Sequence, residues 1–230
     1  MGTANDWHRQ IARTALGAVR DRAGLGGRYA LGGGNALQLH GLTTRPTQDV
    51  DLFFGSIEDF PPAAAAIEEG LAEAGYAVQL TGEGFTWDAD EETGMREWEV
   101  TTPDGQHVVE VQAAHFELLA EPVDKDGIPV VGLEDAAGYK GHALVSRMAL
   151  RDFSDVARLL DLFTVSQIID LVRQRDPGFS AEEYAAVGDH LDTLPDKNLV
   201  PFLRDGWTPA RLRRQFAPWP RTAPTRRPKR

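Results

Sequence analysis

Residues 33 to 54 carry the groupings best suited to chemistry. Gly33-Gly34 follows the apolar run Tyr29-Ala30-Leu31, and Asp49-Val50-Asp51 opens a second apolar run that ends at Phe54. Side chains alternate across a strand, so Asp49 and Asp51 point the same way, with Cα atoms about 6.5 Å apart. Two carboxylates at that spacing can share one divalent ion or hold a pair of them. Glycines let a backbone come close to phosphate. Together these are the parts of a site for nucleotidyl transfer. The plain alternative is a strand start with two solvated acids, since short motifs also match by accident. Val50, Leu52 and Phe54 fall on the opposite face, which makes the strand half buried. Two like charges on the other face repel unless something positive joins them.

Further along, Val108-Val109-Glu110-Val111 places one acid inside an apolar strand, a position that ordinarily means an edge or a solvated face. Lysine occurs only at 125, 140, 197 and 229. Lys140 lies along the stripe formed by Leu133, Ala137, Leu144 and Met148 on one helix. It is either a core-edge lysine with its ammonium reaching water or a charge presented to a ligand. Arg147 is seven residues on, and Arg151 four beyond that if the helix continues. Three cations in a row would suit a triphosphate. Asp152 sits near a helix start, where it favours the dipole, and Arg151 with Asp155 has the spacing of a helical ion pair.

The elements that must position these residues follow from periodicity. Trp7, Ile11, Ala15 and Ala18 predict an amphipathic helix over about 6–22. Residues 28–31 read as a strand, 35–40 as a short helix and 49–54 as the next strand. A helix over 59–75 opens on Pro61-Pro62 and closes at Gly75. Strands are expected at 76–80, 84–88, 97–102 and 107–113. From Leu133 the pattern is helical, over about 133–148, 151–162, 165–175, 180–193 and 197–204. Residues 121–129 read as the join. The expectation is an α/β core over 1–125, a helical domain over 126–205 and a basic, flexible tail over 206–230. Gly24-Leu25-Gly26-Gly27 reads as the cap of the first helix.

Composition narrows the class. The chain has 230 residues, 42% hydrophobic and 26% charged, with no apolar run of membrane-spanning length and no signal-like start. It has no cysteine, which excludes disulfides, thiolate metal sites and cysteine nucleophiles and fits a cytoplasmic protein. No phosphate-binding P-loop, His-x-x-x-His pair or serine elbow is present. Net charge is −11, yet residues 211–230 hold eight Arg or Lys and no acid. Removing those eight charges leaves −19 on residues 1–210. The tail either reaches for RNA or folds back on its acidic body.

Two blocks resemble the nucleotidyltransferase superfamily, and in detail the AbiEii-like toxins of type IV toxin–antitoxin pairs. The first is Gly33-Gly34-Asn35-Ala36-Leu37 with Arg45-Pro46-Thr47-Gln48-Asp49-Val50-Asp51-Leu52. The second is Lys140 followed by Arg151-Asp152-Phe153-Ser154-Asp155. Asn35 stands where Thr or Ser is usual, and Gly32 where Lys is common. The resemblance reaches roughly residues 28–160. It implies an α+β (α/β) fold, a nucleotidyltransferase-type mixed sheet with helices, followed by a C-terminal helical bundle. It implies Mg²⁺ or Mn²⁺ on Asp49, Asp51 and Glu110, with Glu110 completing the metal shell or taking a proton. Gly33, Gly34, Asn35, Arg45, Lys140 and Arg147 would bind the nucleotide, Lys140 also serving catalysis. Asp152 would be the functional acid of the helical half. The implied substrate is a nucleoside triphosphate, and the acceptor an RNA, foremost a tRNA 3′ end, with a cognate antitoxin as partner and no membrane involved. The alternatives are a small aminoglycoside-like molecule or a protein as acceptor, or a non-catalytic nucleotide-binding module.

Overall fold

The computed structural model describes residues 4–23, 28–84 and 94–222. The chain divides into two compact units, one of Met1–Gly41 with Pro46–Ala136 and one of Leu42–Arg45 with Ala137–Arg230.

The first unit is a seven-stranded mixed sheet with helices. In chain order it holds α1 (Ala4–Ala18), β1 (Tyr29–Leu31), α2 (Gly33–Leu39), β2 (Asp49–Phe54), α3 (Phe60–Glu73), β3 (Ala77–Gly84), β4 (Met95–Thr101), β5 (Val108–His115), β6 (Val123–Lys125) and β7 (Ile128–Val130). The strand order is β3-β4-β5-β2-β1-β7-β6. β2 runs antiparallel to β1 and parallel to β5. Val50, Leu52, Phe54, Trp98, Val100, Val109, Val111 and Ala113 alternate onto one face and are buried. α1 and α3 cover that face. Ile11, Ala15 and Leu16 are sealed on α1, and Ala63, Ala64, Ile67 and Leu71 on α3. A Cβ built at Gly70 would lie 2.2 Å from the Ala18 Cβ, so glycine there sets how closely the two helices approach. Each sealed aliphatic or aromatic side chain stabilises by about 1.5–3 kcal/mol.

Two expectations change here. Residues 121–129 are not a join: β6 and β7 form a hairpin, and β7 extends the sheet in parallel with β1. Its turn is Asp126-Gly127, both at positive φ, the pairing that two-residue hairpins select. The strand expected at 84–88 is β3 running on to Gly84, and 85–88 lie outside the described residues, as does the Gly24–Gly27 cap. α1 itself ends in a π turn over Val19–Ala23.

The second unit is helical: α4 (Leu133–Arg147), α5 (Leu150–Leu159), α6 (Val165–Arg175), α7 (Ala181–Thr193), α8 (Asp196–Leu199) with a 3₁₀ turn at Val200–Phe202, and α9 (Pro209–Gln215). Thr164 with Gln167 and Ser180 with Glu183 form capping boxes on α6 and α7, each satisfying otherwise orphaned N–H groups. α4 and α5 are separate helices because Met148 takes φ +49° between them. Arg151 therefore starts a new helix and does not continue a row from Lys140 and Arg147.

The segment read as a flexible tail is folded as far as Thr222. Leu212, Phe216 and Trp219 are buried, and the Phe216 ring packs 5.6 Å from Phe153 and 5.3 Å from Trp219. Three of its arginines are engaged within the unit. Arg213 donates to the Leu191 and Leu194 carbonyls at the C-terminal end of α7. Arg221 makes a two-pronged bond to Asp192 at 2.7 and 3.1 Å, and Arg211 reaches Asp161 at 3.3 Å. Residues 223–230 lie outside the described residues. Among the described residues, no helix is long and apolar enough to cross a membrane. Phe216→Ala is expected to cost about 3–5 kcal/mol in urea unfolding, and truncation before Pro209 more. An unchanged unfolding midpoint in both would contradict this packing.

Candidate active site

In the first unit the candidate carboxylates share one open face of the sheet. Asp49 and Asp51 are half-buried on β2, with Val50 and Leu52 sealed on the reverse side. Glu110, exposed on β5, is the register partner of Asp49. Paired residues in a ladder point to the same face, so these acids lie side by side. The row continues, since Glu99 on β4 is opposite Glu110 and Glu97 is opposite Gln112. Gln112 partners Asp51 and donates to Glu97 at 2.6 Å. A polar cavity of about 430 Å³ opens over Gln48, Thr81, Glu97, Glu99, Val108 and Glu110. The sequence reading missed Glu97 and Glu99. Their alternation with Trp98 and Val100 was the available signal.

The glycine turn bears directly on Asp51. Gly33 takes φ +58°, the left-handed region that L side chains rarely adopt. A Cβ there would sit 1.6 Å from Asp51 Oδ2. Glycine is thus required twice, for the turn and for room beside the carboxylate. Gly34 is buried in the first turn of α2, whose N–H groups have no partner within the helix. At Gly32, a Cβ would fall 2.3 Å from the Phe53 ring, so that aromatic fills the space a larger residue would need.

Asn35, expected to bind the nucleotide, is engaged within the unit. It is buried, its Nδ2 donates to the Asp49 carbonyl at 2.7 Å, and its Oδ1 accepts from the Thr47 hydroxyl at 3.0 Å. Thr47 in turn lies 2.9 Å from His8 Nδ1. Burial pushes the His8 imidazole below its ordinary pKa, against the opposing pull of Asp49.

The second unit has its own cluster. Asp155 is 1% exposed and accepts from Arg45 at 2.9 and 3.1 Å and from Lys140 at 2.9 Å. Burial alone would raise its pKa, but Lys140 and Arg45 outweigh that and hold the carboxyl below its usual range. Lys140 and Arg45 thus share one carboxylate. Asp155 therefore pairs with Lys140 and Arg45, not with Arg151 as its spacing suggested. Asp152 is fully buried and taken by Arg147, which donates to it at 2.8 and 2.9 Å. Arg147 is thus tied to an acid of its own unit. No local pattern announces an Arg45–Asp155 pair, because it closes across 110 residues.

A divalent ion fits the Asp49–Asp51 pair on one count: Gly33 has no Cβ to collide with the Asp51 carboxylate. Among the described residues, no group of three His, Asp or Glu converges into a ready-made metal cluster. Two carboxylates completed by substrate phosphates are the normal complement for Mg²⁺.

Residues 14–218 match the family described as Nucleotidyl transferase AbiEii toxin, Type IV TA system. A search by sequence found no match among curated proteins. Three solved structures are similar, each 16% identical over 94% of this chain. One is a putative nucleotidyltransferase from Helicobacter pylori, with a TM-score of 0.55 and 94% of that chain covered. Another is JHP933 from Helicobacter pylori, at 0.53 and 91%. The third is MenT4, the nucleotidyltransferase toxin Rv2826c from Mycobacterium tuberculosis H37Rv, at 0.52 and 85%. At such identities the likeness shows the fold. The family match spans most of the chain, and the chain belongs to the AbiEii nucleotidyltransferase toxins of type IV toxin–antitoxin systems.

Proposed function

We propose that this nucleotidyltransferase moves a nucleoside monophosphate from a nucleoside triphosphate to an RNA end, foremost a tRNA 3′ end. It would act in the cytoplasm as the toxin partnered by an antitoxin. The observation that carries the reading is the Asp49–Asp51 pair with Gly33 pressed against it. The acceptor hydroxyl attacks the α-phosphorus, the bond to the bridging oxygen breaks, and pyrophosphate leaves. Mg²⁺ or Mn²⁺, held by Asp49 and Asp51, would neutralise charge on the phosphates and lower the pKa of the attacking hydroxyl. Glu110, the register partner of Asp49, would join that shell or accept the proton. The backbone of Gly33 and Gly34 would donate to phosphate oxygens. Lys140 and Arg45, gathered on Asp155, would balance the triphosphate.

A second reading, a small cationic acceptor, is favoured by two observations. The sheet face beside Asp49 carries Glu97, Glu99 and Glu110. Arg211, Arg213 and Arg221 are spent on acids and carbonyls of their own unit. Labelled triphosphates with Mg²⁺ and either total RNA or an aminoglycoside mixture separate the two. Label in RNA supports the first reading, and label only in the small molecules replaces it.

Asp49→Asn and Asp51→Asn should each lower transfer by roughly 10²–10³-fold or more with the fold intact, and chelator should do the same to the parent. Full activity in either case would refute the metal role. Gly33→Ala, strained by about 1–2 kcal/mol and colliding with Asp51, should lose far more activity than stability. Equal losses would show that the turn serves folding alone. Lys140→Met should weaken triphosphate binding about tenfold by direct titration, a loss typical of one charge-assisted contact. Asp155→Asn strands two cations and should cost about 3–5 kcal/mol at neutral pH. Asp155 has a lowered folded pKa, so its stabilisation is present above the unfolded value of 3.8 and lost as pH falls through the folded one. The gap between parent and variant in urea unfolding should therefore narrow below that pH. A gap constant with pH would contradict the pairing.

A further inference from the structure

β1 stops one turn too soon to support all of β2. Its register covers Leu52 to Phe54, and the last backbone bond on that edge runs from Gly32 N–H to the Asp51 carbonyl at 2.8 Å. Beyond it the chain turns into α2, and Asp49 has no strand on that side. Asn35 supplies the missing bond. Its Nδ2 donates to the Asp49 carbonyl at 2.7 Å, two residues on from Asp51, the repeat a continuing ladder would give. The other edge of Asp49 is held by β5 at Glu110.

The amide has only one orientation open to it. Nδ2 must face a carbonyl, so Oδ1 must accept, and it accepts the Thr47 hydroxyl proton. With that proton spent, His8 Nδ1 must carry its own hydrogen and donate it to Thr47 Oγ1 at 2.9 Å. The relay His8 → Thr47 → Asn35 → Asp49 carbonyl runs in one direction, and all three side chains are buried at 4%, 7% and 2% exposure.

We propose that Asn35, oriented by Thr47 and His8, is a positioning residue that fixes Asp49 relative to Asp51 and so sets how tightly the carboxylate pair holds a divalent cation. This rests on the reading of that pair as the metal site. A merely structural brace would change thermal stability and leave metal affinity alone, whereas partners behind a ligand typically alter affinity by about 10–100-fold.

The test is Mn²⁺ binding to the full chain, read as loss of the free-ion electron paramagnetic resonance signal. Circular dichroism serves as the fold control. Asn35→Ala and the isosteric Thr47→Val should each weaken Mn²⁺ binding about tenfold, and Thr47→Ser, which keeps the hydroxyl, should stay within about twofold of the parent. Should Thr47→Val fail to fold, Asn35→Ala against Thr47→Ser carries the comparison. Asp49→Asn tests the underlying reading, since it should abolish the binding. If Asp49→Asn abolishes it while Asn35→Ala and Thr47→Val bind as the parent does, the positioning role is wrong and the metal site stands. If Asp49→Asn binds normally, the metal reading fails and the positioning role with it.

Discussion

Asp49 and Asp51 put two like charges on the same face of one strand, and the first unit is organised around that repulsion. The reverse face is sealed by α1 and α3 over Val50, Leu52 and Phe54, so the strand cannot rotate its acids away without exposing its core. A one-residue slip would exchange the two faces entirely. Gly33 gives up a side chain and adopts a left-handed turn so that its backbone can lie against Asp51. Asn35 extends hydrogen bonding past the end of β1 to hold Asp49. Each device restricts the carboxylates, and none neutralises them.

The second unit solves the opposite problem. Asp155 is sealed from water, and a buried carboxylate would ordinarily be protonated. Arg45 and Lys140 keep it ionised. Arg147 and Asp152 form a separate pair. Asp155 is the acid that gathers Arg45 and Lys140.

The elements were largely legible because their signals are local. Alternation exposed β2 and β5, and a helical pattern marked α6 and α7. Pro61-Pro62 and Gly75 bounded α3. The misses have physical causes. Asp126-Gly127 signalled a hairpin, yet β6 and β7 have three residues each, too few to show a period. The basic C-terminal segment looked like a tail because charge dominated its composition, while Leu212, Phe216 and Trp219 supplied the packing. The hydrogen bonds of Asn35 were not legible, because its partners are 12 and 14 residues away and nothing local pairs the two motif blocks. The Arg45–Asp155–Lys140 cluster is likewise a product of tertiary folding alone.

The central claim is that Asp49 and Asp51 together hold the metal on which transfer depends. Crystals grown with Mn²⁺ and a non-hydrolysable nucleoside triphosphate analogue give the most direct test, through the anomalous scattering of manganese. The account predicts an anomalous peak within coordination distance of both carboxylates, bridging them to the phosphates of the analogue. An analogue bound with no manganese at Asp49 and Asp51, or a peak confined to another group of acids, would contradict it.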